Sequence, residues 1–512
     1  MGLDRSLAHI HLRRYVLDAR HIEISHQKQI SPGWVKTPDE AFYGITQVQL
    51  LAQLSARIGY NLGDLVENNR HPERASPSLV AQAVYCKVAD NAELVAICDK
   101  YEPALEKQKS LCGTESITYY TSFDEFIKHD MDAVVLANYA NEHVPFAIRC
   151  LEAGKHVFSE VLPCQTMQEA VRLVEAVEKH GLVYAYGENY CYMPAPYEMK
   201  KLYKAGKIGE FEYGECEYIH NCESIWHSIT YGDPDHWRNN MHAHFYCTHS
   251  VGPIIHMTGL RPVTVTGFEG KKIERKLRVG AKGGAFGIEM VELENGGIVK
   301  SIHGDLYKDS IWYSVYGSKG RMESSREDVE DGCYFRIRVN ADEYSGEYAH
   351  RPIESYEPHQ FMDEKLKGIF GHGGSDFYSM YNFVEKILGN PDADTINVYE
   401  ALDMGLVGMF AYRSVLNGGI PMKIPNLRNK DERDAYRNDT MCTDAKVAGD
   451  MLIPSFSLGN PDIPDAVYEN MKKKYIEEFE TDSGYVNLAF NQSSGRKTQN
   501  ESCDPTLSGT KK

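Results

Sequence analysis

What the 512-residue chain lacks narrows it first. Nowhere do about 18 apolar residues run together, the length a membrane-crossing helix needs. The opening stretch, MGLDRSLAHIHLRRYVLDAR, has no apolar leader core, so neither export nor membrane insertion is expected. Arg5 and Ser6 match a myristoylation signal only loosely. Excess positive charge is also missing: 55 Lys and Arg stand against 73 Asp and Glu, a net charge of −18. That balance argues against general binding to nucleic acid or to anionic membranes. The 12 cysteines form no C-x-x-C pair and no metal spacing, which fits reduced thiols in a cytoplasmic protein. A G-x-G-x-x-G turn, the backbone cradle for a dinucleotide pyrophosphate, is absent as well. Its nearest candidate, Ile58 to Gly63, has the wrong spacing and lies too far before Asp99. Gly280 to Gly287 is glycine-rich but reads better as turn chemistry among antiparallel strands.

What is present is an ordinary globular composition, 42% hydrophobic and 25% charged. The length exceeds one compact core and implies two or three domains. Residues 1–75 are the least readable. Thr37-Pro38-Asp39-Glu40 is a helix start, and Phe42, Ile45, Val48, Leu51, Leu54 and Ile58 recur at helical spacing behind it. From Ser76 to Tyr192 helices and strands alternate. Leu79–Val88, Val144–Ala153 and Thr166–Gly181 read as helices, and Glu93–Cys98, Ala133–Ala137, His156–Ser159 and Leu182–Tyr186 as strands. That alternation predicts βαβ units in a doubly wound, parallel α/β sheet, with ligands beyond the carboxyl ends of its strands. Asp99, Asn138, Glu160 and Glu188-Asn189 fall at those ends. A carboxylate at Asp99 suits both adenosine ribose hydroxyls and repels a 2′-phosphate, although Lys100 leaves NADP open.

From residue 193 to 425 the pattern changes to strands at Glu210–His220, Pro262–Phe268, Gly287–Leu293, Ile298–Gly304 and Ile311–Tyr316, then helices at Asp376–Leu388 and Val398–Leu416. This predicts an α+β domain with a largely antiparallel open sheet, whose uncovered face needs a partner subunit. A homodimer or homotetramer is expected. Residues 426–512 read as a polar extension, disordered from Asn491.

The densest stretch of polar chemistry is HWRNNMHAHFYCTHSVGPIIHMTG, His236 to Gly259. Thr248 or Ser250 can cap a helix there, with Pro253 in its first turn. His249 then stands at the helix start, where the local positive charge keeps imidazole neutral and able to accept a proton; Tyr246 can share the site. The alternative is a polar loop leading into a core helix, its histidines satisfied by backbone. Seven histidines between His220 and His256 raise a zinc reading, but His242-x-His244 alone is weak, and polar lining of a sugar pocket explains them better. Trp237 offers such a pocket an apolar face. No metal is expected.

The Rossmann-like first domain, the antiparallel-sheet second domain and the run GKHVFSE at Gly154–Glu160 together resemble the Gfo/Idh/MocA oxidoreductases. Tyr246-Cys247-Thr248-His249 followed by Gly252-Pro253, with Glu188-Asn189-Tyr190-Cys191-Tyr192, resembles the subgroup of NAD-dependent glycosidases and glycoside-oxidising enzymes. The resemblance implies NAD held by Asp99, Asn138, Ala140, Asn141, His143, Glu160, Val161 and Asn189. It implies a sugar, glycoside or polyol met by Tyr192, Trp237, Arg238, Tyr246, Thr248 and His249. Hydride removal from a secondary carbinol needs a base on its hydroxyl, and His249 with Tyr246 takes that role. Tyr192 or Tyr246 would serve a second proton transfer if glycoside elimination follows. Glu160-Val161 replaces the family's frequent Glu-Lys, as it does in the glycosidase-like subgroup. The competing reading is a degenerate member without cofactor, acting as a non-catalytic binding or assembly protein, which the missing glycine turn favours.

Overall fold

The computed structural model describes residues 56–61, parts of 85–109, and residues 116–326, 336–341, 354–359 and 372–481. Among these, a six-stranded parallel sheet comprises β1 (Ala56–Asn61), β2 (Ala92–Cys98), β3 (Thr118–Tyr120), β4 (Ala133–Leu136), β5 (His156–Ser159) and β6 (Tyr184–Tyr186), ordered β3-β2-β1-β4-β5-β6. Every residue of β4 and β6 is buried, as expected where helices cover both faces of a parallel sheet. Helices α1 (His143–Glu152) and α2 (Met167–His180) connect successive strands. Thr166 Oγ1 accepts from the Glu169 N–H at 3.1 Å, and Glu169 Oε2 reaches back to the Gln165 N–H at 2.8 Å. Gly181 closes α2 at φ 62°, a left-handed position that suits glycine.

The central strand corrects the sequence reading. β1 lies between β2 and β4, inside residues 1–75 and upstream of the expected start at Ser76. Ile58, placed in a helical series, is instead a strand residue with its side chain fully buried. A six-residue strand written ARIGYN carries too few apolar positions to separate a period of 2 from one of 3.6. The rest of the Thr37 helix, most of the Leu79–Val88 helix and the tail from Asn491 lie outside the described residues.

The second sheet is ordered β14-β13-β12-β11-β7-β10-β9-β8-β15. Its strands are β7 (Phe211–Ile219), β8 (Pro262–Glu269), β9 (Phe286–Leu293), β10 (Ile298–Gly304), β11 (Ser310–Gly317), β12 (Gly320–Ser324), β13 (Ile337–Ala341), β14 (Glu354–Tyr356) and β15 (Met422–Lys423). All pairings are antiparallel except β10 with β7. Helix α3 (Pro194–Lys204) leads into this domain, and α4 (Thr248–Thr258), α5 (Ser375–Ile387) and α6 (Val398–Leu416) complete it. α4 packs on β7, β10 and β11, while α6 covers β8 and β9 and also touches α2 and β6. The polar extension is folded as far as α7 (Asp465–Thr481), and Arg433 and Arg437 tie it back to Glu178 and Glu175 of α2, each at 2.7 Å.

α6 reaches the site through one glycine. A Cβ on Gly408 would lie 2.0 Å from the His244 carbonyl oxygen and 2.7 Å from Cys247 Sγ, so bare backbone lets the helix press on the loop that enters α4. Gly408→Ala should therefore destabilise the protein by about 1–3 kcal/mol through overpacking, read as an earlier urea midpoint. An unchanged midpoint would mean that this contact does not seat the loop.

Candidate active site

The carboxyl ends of the parallel strands bring Asp99, Asn138, Glu160 and Glu188 to one edge of the first domain. Asp99 is buried, and its Oδ1 accepts the Tyr101 N–H at 2.8 Å, which fixes the turn after β2. Asn138 follows β4 at the point where the strand order reverses. Its side chain is buried, yet among the described residues neither Oδ1 nor Nδ2 has a partner. Asn141 Oδ1 and Asn189 Oδ1 are likewise buried and unpartnered. Orphaned polar atoms of this kind cost free energy unless a ligand or water completes them. The strand-end residues thus fit a polar dinucleotide. Among the described residues the Lys100 ammonium, next to Asp99 in the chain, also lacks a hydrogen-bond partner.

His143 departs from its expected role. Its ring is buried between two backbone carbonyls, Leu162 O at 2.9 Å and Asn138 O at 3.0 Å. It braces the loop that carries Asn138 and leaves no ring nitrogen for a ligand. Ala140 and Asn141 sit in the helical turn Ala140–Glu142 on that loop, and Val161 is half-buried just after β5.

Opposite this edge stands the start of α4. Cys247 occupies the N-cap without a capping hydrogen bond, its Sγ turned to the Met404 carbonyl instead, Thr248 is the first helical residue and Pro253 lies in the second turn, so neither Thr248 nor Ser250 caps the helix. Pro253 has no N–H to give the His249 carbonyl four residues back. The Tyr313 hydroxyl donates to that carbonyl instead, at 2.6 Å. His249 is buried, and its Nδ1 lies 2.7 Å from Oε1 of fully buried Glu188. A carboxylate only accepts, so the proton sits on Nδ1 and the Nε2 lone pair is left for a substrate. The expected helix-start effect is secondary to this direct partner. Glu188 Oε2 has no protein partner.

Around His249 the structure gathers Tyr190, Tyr218 and Tyr246, with ring centroids 4.6, 4.8 and 5.5 Å from the imidazole. Burial raises the Tyr218 and Tyr246 phenols above their ordinary range, so their hydroxyls keep the proton they can donate. The Arg238 guanidinium lies over both the Trp237 ring, at 4.4 Å, and the Tyr246 ring, at 5.4 Å. Tyr139, next to Asn138, meets His236 of the second domain edge-on at 4.9 Å. Burial, with the Arg238 charge, pushes His236 down to about 3.

Two expected residues are not brought in. Tyr192 is fully buried and donates to the Asp394 carbonyl at 2.7 Å, beside His256; Tyr190 takes its place. Thr248 is buried and receives the Tyr186 hydroxyl at 3.3 Å. His242 and His244 are taken up by packing: His242 stacks on Tyr412 of α6 at 4.2 Å, and His244 bonds Glu289 of β9 at 2.5 Å. Among the described residues no group of His, Cys, Asp or Glu side chains is arranged to hold a metal, and no helix is long and apolar enough to cross a membrane.

The sequence reading missed His372 and Asp376. His372 Nδ1 lies 3.1 Å from Asp376 Oδ2, and Asn189 Nδ2 donates to Asp376 Oδ1 at 3.0 Å. Burial works against the His372 imidazolium, but the Asp376 carboxylate outweighs it, helped by Glu160 and Glu188, and raises the pKa. Burial likewise opposes the Asp376 carboxylate, which His372 and Asn189 nevertheless hold low. His372 has φ 54° and Gly373 φ 67°, left-handed backbone that a histidine adopts at a cost. The signal was His372-Gly-Gly-Ser-Asp376, an acidic residue in the first turn of α5 four residues after a histidine.

Comparison with known proteins follows the two sheets. Residues 79–188 match the oxidoreductase family with an NAD-binding Rossmann fold, Gfo/Idh/MocA, and residues 282–431 match the glycosyl hydrolase 109 C-terminal domain. A glycosyl hydrolase family 109 protein of Solibacter usitatus is 25% identical over 375 residues, 66% of this chain and 83% of the relative. One from Phocaeicola vulgatus is 23% identical over 393 residues, 68% and 81% of the two chains. Among solved structures, levoglucosan dehydrogenase with NADH and levoglucosan aligns at TM-score 0.57 and 16% identity, covering 72% of this chain and all of that one. An Agrobacterium radiobacter oxidoreductase with NAD+, L-tartaric acid and magnesium aligns at 0.56 and 14%, covering 72% and 98%. At such identities the structures speak for the fold.

The raised pKa of His372 sets the sign of a pH effect. Its ion pair should stabilise the fold fully below the unfolded imidazole value of about 6.5 and lose that contribution as pH rises through the folded value. The stability difference between the parent and His372→Asn, from urea melts across pH, should shrink as pH increases. A difference that grows towards alkaline pH would show that His372 is not held protonated.

Proposed function

Because the chain joins a Gfo/Idh/MocA NAD-binding Rossmann domain to a glycosyl hydrolase 109 C-terminal domain, we propose that it is an NAD-dependent enzyme that opens glycosidic bonds by transient oxidation of a sugar hydroxyl. The observation that carries this reading is the pairing of two proton-handling devices in one cleft. Glu188–His249 leaves Nε2 with a free lone pair, and Asp376 beside His372 favours the protonated ring. A dehydrogenase needs only the first. Elimination of a leaving group needs both a base and an acid.

The dinucleotide would be held by Asp99 at its adenosine ribose, by Asn138, Ala140 and Asn141 along its length, and by Glu160, Val161 and Asn189 near its nicotinamide end. Bound there, it supplies a two-electron acceptor that is regenerated within each turnover. His249 Nε2 takes the proton of a secondary hydroxyl as the carbinol becomes a ketone, and Glu188 stabilises the imidazolium that results. The ketone acidifies the neighbouring C–H. His249, having passed its first proton to solvent, takes that proton. The glycosidic oxygen leaves with a proton from His372, water then adds across the double bond that results, and the two electrons removed in the first step return to the ketone. Arg238, Tyr190, Tyr218 and Tyr246 orient the sugar by donating to its oxygens, with Trp237 beside them. The orphaned Asn138 and the intact Glu188–His249 pair weigh against a degenerate, cofactor-free protein.

The sheet face turned away from α4 and α6 carries half-exposed Phe268, Ile288, Met290, Ile298, Ile302 and Tyr316, which supports an assembly of two or four copies through this face. Light scattering at micromolar concentration should return at least a dimer, and monomer alone would refute the assignment. For the chemistry, His249→Ala should lower turnover by about 10²-fold or more while changing NAD affinity only a few-fold. Asp99→Ala should weaken NAD binding, by calorimetry, with a smaller effect at saturating cofactor. Near-full turnover by His249→Ala, with an unchanged melting temperature, would remove it from the mechanism. Reduced cofactor accumulating in step with product would identify a plain sugar dehydrogenase instead.

A further inference from the structure

His249 must lose the proton it takes from the carbinol before it can take another, and its surroundings leave few ways out. The ring is buried, and its Nδ1 is tied to Glu188 at 2.7 Å, so release falls to Nε2. Three phenols stand around the imidazole, and each meets something different behind it. Tyr246 bonds Arg238, whose guanidinium neither takes up nor gives off protons. Tyr190 packs edge-on against Tyr218 at 5.1 Å. The Tyr218 hydroxyl lies 3.0 Å from Nδ1 of His220, a side chain that does both.

The end of β7 builds that contact. Residues two apart on a strand project to one side, and Tyr218 and His220 flank buried Ile219 as β7 ends. The His220 N–H donates to the Gly304 carbonyl at 2.9 Å, where the pairing of β7 with β10 stops. His220 is half-buried, and Asn221, next in the chain, lines a cavity of about 750 Å³ with the exposed Tyr307 on its rim. The histidine thus stands between the phenol wall of the site and the solvent side of the sheet.

Its surroundings also set where its own proton sits. Cys222 Sγ lies 3.6 Å from the same Nδ1. Burial raises the Tyr218 phenol above its ordinary range and pushes the Cys222 thiol up to about 11, so both groups keep their protons. Two donors facing one nitrogen make Nδ1 the acceptor and leave the ring's proton on Nε2. Burial lowers His220 below the ordinary imidazole value, with Asp309 and Asp305 pulling it up and His249 and His372 pulling it down. The ring rests neutral and gives up an added proton readily.

We propose that Tyr218 and His220 form the route by which the proton taken up at His249 leaves for solvent. This rests on the oxidation step of the reading above and not on the glycoside cleavage that follows it. The His249 and Tyr218 ring centroids are 4.8 Å apart, and one water or sugar hydroxyl spans Nε2 and the phenol oxygen. Through that bridge the Nε2 proton passes to the Tyr218 oxygen as the phenol's own proton passes to His220 Nδ1. His220 then releases the proton on its Nε2 to water. One proton leaves His249 and one reaches solvent. Tyr218 ends neutral, and His220 ends neutral in its other tautomer. The reverse transit, when the ketone is reduced again, restores the first tautomer. A phenol O–H rotates freely: turned inward it donates to the sugar, turned outward it joins the relay. His220 touches no substrate and acts through Tyr218.

The test follows oxidation of a sugar or glycoside by the full-length enzyme in dilute buffer with saturating NAD. His220→Gln keeps a hydrogen-bond acceptor for Tyr218 but cannot pass a proton through. It should lower turnover about tenfold, with KM and melting temperature little changed. His220→Ala should fall at least as far and recover as imidazole is raised through the millimolar range, to which the parent is indifferent. Parent-like turnover by His220→Gln, or a loss in His220→Ala that imidazole does not restore, would overturn the relay. Nitrogen NMR of the histidine rings, with His220 assigned by its loss in His220→Gln, needs no substrate. It should show a neutral ring protonated on Nε2, and a ring protonated on Nδ1 counts against the relay even in an active enzyme. An enzyme that reduces NAD with a sugar, cleaves no glycoside and shows imidazole rescue keeps the relay and loses the glycosidase reading. One that cleaves glycosides while His220→Gln matches the parent keeps that reading and loses the relay. An enzyme that oxidises no sugar loses both.

Discussion

The hydrogen bond between Glu188 and His249 is the constraint on which the rest of the arrangement depends. It joins the last strand of the parallel sheet to the first turn of α4, and so fixes the two domains and the proton of the imidazole together. A fully buried carboxylate without a partner would cost several kcal/mol, so the pair binds the domains as much as it sets the chemistry. The surrounding residues hold its geometry: Pro253 frees the His249 carbonyl, Tyr313 takes it, and Gly408 lets α6 seat the loop before α4. Each is a backbone device. Together they orient one ring.

The same logic places the second histidine. His372 opens the short turn His372–Gly374 with left-handed backbone, yet Asp376 and Asn189 hold its side chain from two directions. Asn189 adjoins Glu188, so one short turn after β6 positions both devices. Moving that turn would displace both histidines in concert.

Much of this was legible in the residues. The apolar run at Ala133–Leu136, the strand pattern of Ile298–Gly304 beside its Asn295-Gly296-Gly297 turn, and the Thr166 and Gly181 signals around α2 carry local information that tertiary packing did not override. The strand ends Asp99, Asn138, Glu160 and Glu188 followed from them. What escaped was non-local. β1 is short and mixed in polarity, and only its neighbours β2 and β4 make it a strand. Tyr192 and Tyr190 sit two residues apart in one helical turn, so spacing alone could not say which of them faces His249. His372 and Asp376 lie over 120 residues from His249 in sequence, and the chain carries no local mark of their meeting. Histidines at 242 and 244 resembled pocket lining because their partners, Tyr412 and Glu289, come from distant elements.

The position of β1 has a consequence for how the chain can be divided. Its pairings run to both sides, β2 on one flank and β4 on the other, so it is the seam of the sheet and not its margin. A fragment begun at Ser76, where the alternation of helices and strands becomes readable, would not be a shorter sheet. It would be two separate ribbons, β3-β2 and β4-β5-β6, each with a raw edge where β1 had been, and such edges pair readily with other chains. A chain cut there invites aggregation, and the segment that reads least like a fold is the one that keeps it in one piece.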